Sequence, residues 1–146
     1  MLIYVSPRQR AVVNRAMRFD LRQVRMRYAM DYHATPEDAK ILERELKRYL
    51  ILRALNPTAC YPMTGPTDGF WHTFLLFTRK YARFCQQVAG RFLHHTPVDS
   101  HSARKDRKLH KDYERFYRKY SLLFEERPPS SVWPSVESAA RVIRKS

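Results

Sequence analysis

The 146 residues, 44% hydrophobic and 13% aromatic, suffice for one globular core and are too few for two, so a single domain over 1–146 is expected. No run approaches the ~18 apolar residues of a membrane span, residues 1–5 are too short for a signal peptide's apolar part, and Cys60 and Cys85 make neither a disulfide framework nor a zinc-finger spacing, so a soluble cytoplasmic protein without membrane contact is expected. Lys and Arg number 28 against 14 acids, a formal charge of +14 with a pI near 10.2, and such a field draws polyanions by neutralising phosphates.

Ser6 and Pro7 read as a cap and a first-turn proline opening a helix. It runs, or breaks near Phe19 and Asp20 and resumes, to about Asp31. Val12, Val13, Ala16, Met17, Leu21, Val24 and Tyr28 recur at helical spacing, while Arg8, Arg15, Arg18, Arg22 and Arg25 fall three or four apart as a stripe on the other side. Seven arginines and no lysine precede residue 35. The guanidinium fork suits phosphate oxygens; a solvated helix face is the alternative. The one alternating, strand-like run is residues 1–5.

Thr35, Pro36, Glu37 and Asp38 supply a cap, a first-position proline and first-turn acids. The helix they start is expected to reach Leu55, with Leu42, Leu46, Tyr49, Leu50 and Arg53 on one face and Glu43 and Lys47 spaced for an ion pair. Asn56 and Pro57 stop it, and residues 58–66 read as loop.

Phe70, Trp71, Phe74, Leu75 and Phe77 make the next helix apolar almost all round, so the others are expected to pack on it. Thr67 or Asp68 is its expected cap, and Thr78 the cap of the following helix. That helix carries Tyr81, Phe84, Cys85 and Val88 at i, i+3, i+4 and i+7, and Gly90 ends it. Residues 91–97 form an irregular segment returning His94 and His95 towards the core.

Residues 98–103 are polar and expected to form a mobile loop, after which residues 104–126 read as a long helix. Leu109, Tyr113, Phe116, Tyr117, Tyr120, Leu123 and Phe124 hold its apolar stripe, and Arg104, Lys105, Arg107, Lys108, Lys111, Arg115, Arg118 and Lys119 cover the rest. Pro128 and Pro129 end it, Trp133 and Pro134 staple the following loop, and Ser135 caps a short last helix. The expected fold class is therefore all-α: a single compact bundle of five to six helices around a central aromatic helix pair, with a core from about residue 19 to 134.

The run Asp68-x-Phe-Trp-His72, then Tyr81-x-x-Phe-Cys85, then Gly90-Arg-Phe-Leu-His-His-Thr-Pro97 closely resembles the bacterial glycine-rich domain-containing protein-like family, related to the amino-terminal domain of plant glycine-rich domain proteins. Glu43, Glu45, Tyr49 and Leu50 before it, and Tyr120, Leu123, Phe124, Pro128, Pro129, Val132, Trp133 and Pro134 after it, extend the resemblance. It implies a small all-helical domain and leaves the biochemistry open. Many relatives carry Trp-His-x-His at the central helix, where this chain has Phe74 as the second position, and the glycine-rich tail is missing from a chain with three glycines.

Two chemistries follow. The first is a non-enzymatic module contacting RNA or DNA phosphates with little sequence preference through Arg15, Arg18, Arg22, Arg25, Arg104, Lys105, Lys108, Lys111 and Arg115, without a cofactor. An acidic protein partner docking on the same cations is the alternative. Tyr113, Tyr117 and Tyr120 interleave with them, but at the spacing of the buried face rather than as base-stacking platforms. The second is a divalent metal such as zinc, in a metal-binding protein or a metal-dependent enzyme, held by His72 with His94 or His95 and by Asp68 or Cys85. Asp68 and His72 are i,i+4 on one helix face, whereas adjacent histidines seldom point at one ion. Against a metal stands a structural reading, in which these histidines bond buried carbonyls or Asp68 to lock the loop. Cys85 lies on an apolar stripe, where a thiol is inert. No phosphate-binding glycine loop, nucleophile elbow or paired-carboxylate pattern is present.

Overall fold

The computed structural model describes residues 5–97 and 100–145. The strand-like start, apart from Val5, and two positions of the polar stretch, Val98 and Asp99, lie outside the described residues. Among the described residues there are seven helices and no strand: α1 Pro7–Arg18, α2 Arg22–Tyr32, α3 Pro36–Leu55, α4 Pro66–Leu76, α5 Thr78–Ala89, α6 Ala103–Phe124 and α7 Val136–Lys145. None of them is long and apolar enough to cross a membrane.

The seventh helix arises because the N-terminal run breaks. Ser6 opens α1 with a capping box, its Oγ accepting from the Gln9 amide and its own amide donating to Gln9 Oε1. Phe19 is extended, Asp20 Oδ1 accepts from the Arg22 amide at 3.0 Å, and α2 starts afresh. The buried Lys47 of α3 explains why. Its Nζ donates to the carbonyls of Met17 at 3.2 Å and Phe19 at 2.6 Å, satisfying the groups that an α-helix end leaves orphaned.

The helix touched by most others is α3, not α4. Over its 20 residues, roughly 30 Å, it packs against α1, α2, α4, α5 and α6. Leu46, Tyr49, Leu50, Ile51, Leu52 and Ala54 are buried in succession, so its second half is surrounded. By contrast, α4 has 11 residues and leaves Leu76 at 65% exposure. The aromatic pair α4 and α5 lies in the core as expected, with Phe74 edge-on to Tyr81 and Phe84.

Two caps differ from expectation. Gly65, at φ +78°, precedes α4, so neither Thr67 nor Asp68 caps it, and Phe77 alone separates α4 from α5, which makes Thr78 the first helical residue. A Cβ at Gly65 would meet the Val132 carbonyl at 3.0 Å, so the 128–134 loop docks tightly there. Glu45 fastens that loop. Its Oε1 accepts from Trp133 Nε1 at 3.0 Å and from the Tyr120 hydroxyl at 2.7 Å, joining α3, α6 and the loop.

Candidate functional site

Asp68 lies in the first turn of α4 and His72 one turn later, so helical geometry alone puts both on one face. The third member arrives from the chain after α5. Gly90, at φ +70°, ends α5 and turns the backbone round. Leu93 then enters the core, its amide donating to Cys85 Sγ at 3.4 Å and its carbonyl accepting from the Tyr81 hydroxyl, which in turn accepts from Trp71 Nε1 at 3.1 Å. Arg53 Nη1 holds the His94 carbonyl at 2.8 Å. With the strand of chain clamped on both sides, the His95 ring settles over Trp71 at 4.2 Å between centroids.

His95 Nε2 is then 2.7 Å from Asp68 Oδ1 and 3.1 Å from His72 Nε2, and His72 Nε2 is 3.5 Å from the same Asp68 oxygen. Three ligand-type atoms converge. Side-chain exposure falls from 53% at His72 through 36% at Asp68 to 14% at His95, so the cluster is open on the His72 side. The His95 hydrogen bond holds the Asp68 carboxyl below its usual range, against the opposing effect of burial. Two imidazole nitrogens at this distance share at most one proton between them, since two N–H groups facing each other repel.

Other residues of the metal reading sit elsewhere. His94 points away, with its exposed ring against Phe92. Cys85 is buried, and desolvation pushes its thiol up, which leaves it a poor nucleophile. Phe74, about 200° round the helix from His72, faces the core.

The cations divide into two groups. The break after Arg18 splits the expected arginine stripe: Arg8, Arg15 and Arg18 remain on α1, while Arg22 pairs with Asp20 at 2.8 Å and Arg25 with Glu43 at 2.7 Å. Arg15 Nε donates to the Gln87 carbonyl at 2.8 Å. On α6 the cations stay together. Arg104, Arg107, Lys108, Lys111, Arg115 and Arg118 are all exposed and fall within an arc of about 100°. Opposite them lie the buried Tyr113, Phe116 and Tyr120. Asp112, at the edge of the arc, takes Lys108 at 2.9 Å and Arg115 at 3.2 Å. Lys105 flanks the arc and donates to Ser100 Oγ.

Residues 8–132 match the UCP032817-like family. The chain belongs to that family. This corrects the glycine-rich domain resemblance, because no glycine-rich domain family is indicated over the residues that carried it. Several of those residues, among them Phe70, Trp71, Tyr81, Phe84, Leu93 and Trp133, are core positions, and what they specify is packing. Comparison with curated proteins and with solved structures finds no match. In this UCP032817-like protein Arg107 and Arg118, which are not among the contacts expected from the sequence, are exposed on the same face. Stepping 100° per residue along α6 places both on the same arc as Lys111, a signal already present in the sequence.

Proposed function

We propose that this UCP032817-like protein is a non-enzymatic module that binds nucleic-acid phosphates through the exposed face of α6. The observation that carries the reading is the arc of six exposed cations from Arg104 to Arg118, spread over about 21 Å of helix. Apart from the adjacent Arg107 and Lys108, successive cations are about 4.5–6 Å apart along the axis, so several engage one backbone tract at once. Each neutralised phosphate releases condensed counterions. Asp112 offsets little of this charge and orders two of the side chains.

A groove of about 400 Å³ lined by both Arg8 and Lys119 extends the surface from α6 onto α1. Arg15 and Arg18, further along α1, are proposed as supporting contacts. Arg22 and Arg25, held by their own acids, contribute less. Contacts of this kind position a backbone and leave base edges unread, so little sequence preference is expected.

The test is the salt dependence of binding to single- and double-stranded oligonucleotides by untagged protein. Arg107→Glu with Lys111→Glu should weaken binding at least ~10-fold, flatten the log K against log salt slope by about 2, and leave the melting temperature unchanged. No binding at low salt, or an affinity indifferent to the double reversal, overturns the reading. In that case pull-down of an acidic protein on the same face becomes the expected behaviour.

A further inference from the structure

We infer that Asp68, His72 and His95 form a three-donor site for one divalent transition metal ion of the zinc class, with further coordination positions facing solvent. A tetrahedral ion with bonds of about 2.0–2.1 Å to nitrogen and oxygen sets its ligand atoms about 3.3 Å apart. Here the three edges of the donor triangle are 2.7, 3.1 and 3.5 Å, which bracket that value. Two imidazoles and one carboxylate are also the donor set that borderline divalent metals accept with positions left open.

A lock of the loop explains only part of this arrangement. His95 on Asp68 alone would tie residues 91–97 to α4, and His72 would be superfluous. Yet His72, half in solvent and free to swing out, brings its Nε2 to 3.1 Å from His95 Nε2 and towards the same carboxylate oxygen. Without an ion, that contact sets one lone pair against another unless a proton is shared. A cation at the centre of the triangle turns three converging lone pairs into three bonds.

The scaffold is also the kind that holds a metal site in place. Asp68 and His72 sit on one helix, and the Trp71 ring beneath His95 is itself fixed by Tyr81, whose hydroxyl also holds Leu93. Three protein donors with an open side are the pattern of sites that bind water or a substrate oxygen, whereas purely structural zinc sites close with four. An ion held there by Asp68, His72 and His95 would lower the pKa of a water bound to it.

The experiment uses untagged full-length protein stripped with a chelator, dialysed and titrated with Co²⁺ and then Zn²⁺. The expected result is one equivalent of Co²⁺ with visible absorption of low coordination number, displaced by Zn²⁺. His72→Ala should abolish that spectrum, because its exposed side chain is not needed for folding, and Asp68→Asn and His95→Ala should weaken binding at least ~10-fold. His94→Ala, next to the site in sequence and outside it in space, should bind as the parent does. No stoichiometric binding up to about 1 mM metal, or a spectrum unchanged in His72→Ala, overturns the assignment. Because the readout involves no nucleic acid, it stands or falls apart from the α6 reading.

Discussion

Glu45 and Asp68 are both carboxylates set beside aromatic rings, one on α3 and one on α4, and their surroundings differ in completeness. Glu45 is at 0% exposure, with Oε1 taken by Tyr120 and Trp133 and Oε2 by Arg44 at 2.9 Å, while Arg48 stands 3.8 Å away. Its donors come from α3 itself, α6 and the 128–134 loop, so no further ligand has a place there. Asp68 is about a third exposed, and its Oδ1 is shared by two imidazoles, one of them half in solvent. Charge and aromatic neighbours are common to the two; what separates them is whether the donor set is closed. A closed set fastens segments together, and an open set with surplus lone pairs is available to a ligand.

High pH should break the buried core, and the Glu45 network with it, first and with the largest effect. Burial raises the hydroxyl pKa of Tyr28, Tyr49, Tyr61, Tyr81, Tyr113 and Tyr120. A raised folded-state pKa means that this stabilisation is fully present below the unfolded tyrosine value of about 10 and is lost as pH climbs towards the folded values. The expected outcome is cooperative alkaline unfolding, with most tyrosinate absorbance appearing together with loss of helical circular dichroism. Ionisation of these tyrosines in a still-folded protein would show that the region is not sealed.

Glu45→Ala comes next. It strips the acceptor from the Tyr120 hydroxyl, Trp133 Nε1 and Arg44 at once, and removing one partner of a buried charged network costs about 3–5 kcal/mol. Urea unfolding measures it, and a loss under about 1 kcal/mol would mean that the loop is held by packing alone. Asp68→Asn should have the smallest effect, under about 1 kcal/mol, because its contacts with the two imidazoles are partly exposed to solvent. If it cost as much as Glu45→Ala in the same assay, Asp68 would be a staple too, and the distinction between closed and open sets would disappear.

Much of the secondary structure was legible in the chain. Ser6 and Thr35 cap helices as expected, each accepting from an amide three residues on, and Gly90 ends α5 in the left-handed region; the Ser102 cap of α6 emerged only in the structure. Hydrophobicity misled at α4, where apolar residues all round suggested the hub; α3 is longer and packs against α1, α2, α4, α5 and α6, although polar residues interrupt its pattern. In the candidate site, Asp68 and His72 were readable as an i,i+4 pair. The choice between His94 and His95 was not, because it depends on Leu93 being clamped by Tyr81 and Cys85.

By itself the sequence determined the all-helical class, the helix starts that carry a side-chain cap, and the cationic side of α6, since these follow from propensity and side-chain spacing within a few residues. Tertiary structure alone decided three things. It placed the break between α1 and α2, where Lys47 reaches back 28 residues to the Phe19 carbonyl. It sealed Glu45 with Trp133 from 88 residues away, and it brought His95 onto Asp68 across 27. Each depends on where a distant segment comes to rest, which is settled by burial of the shared core and not by the residues on either side.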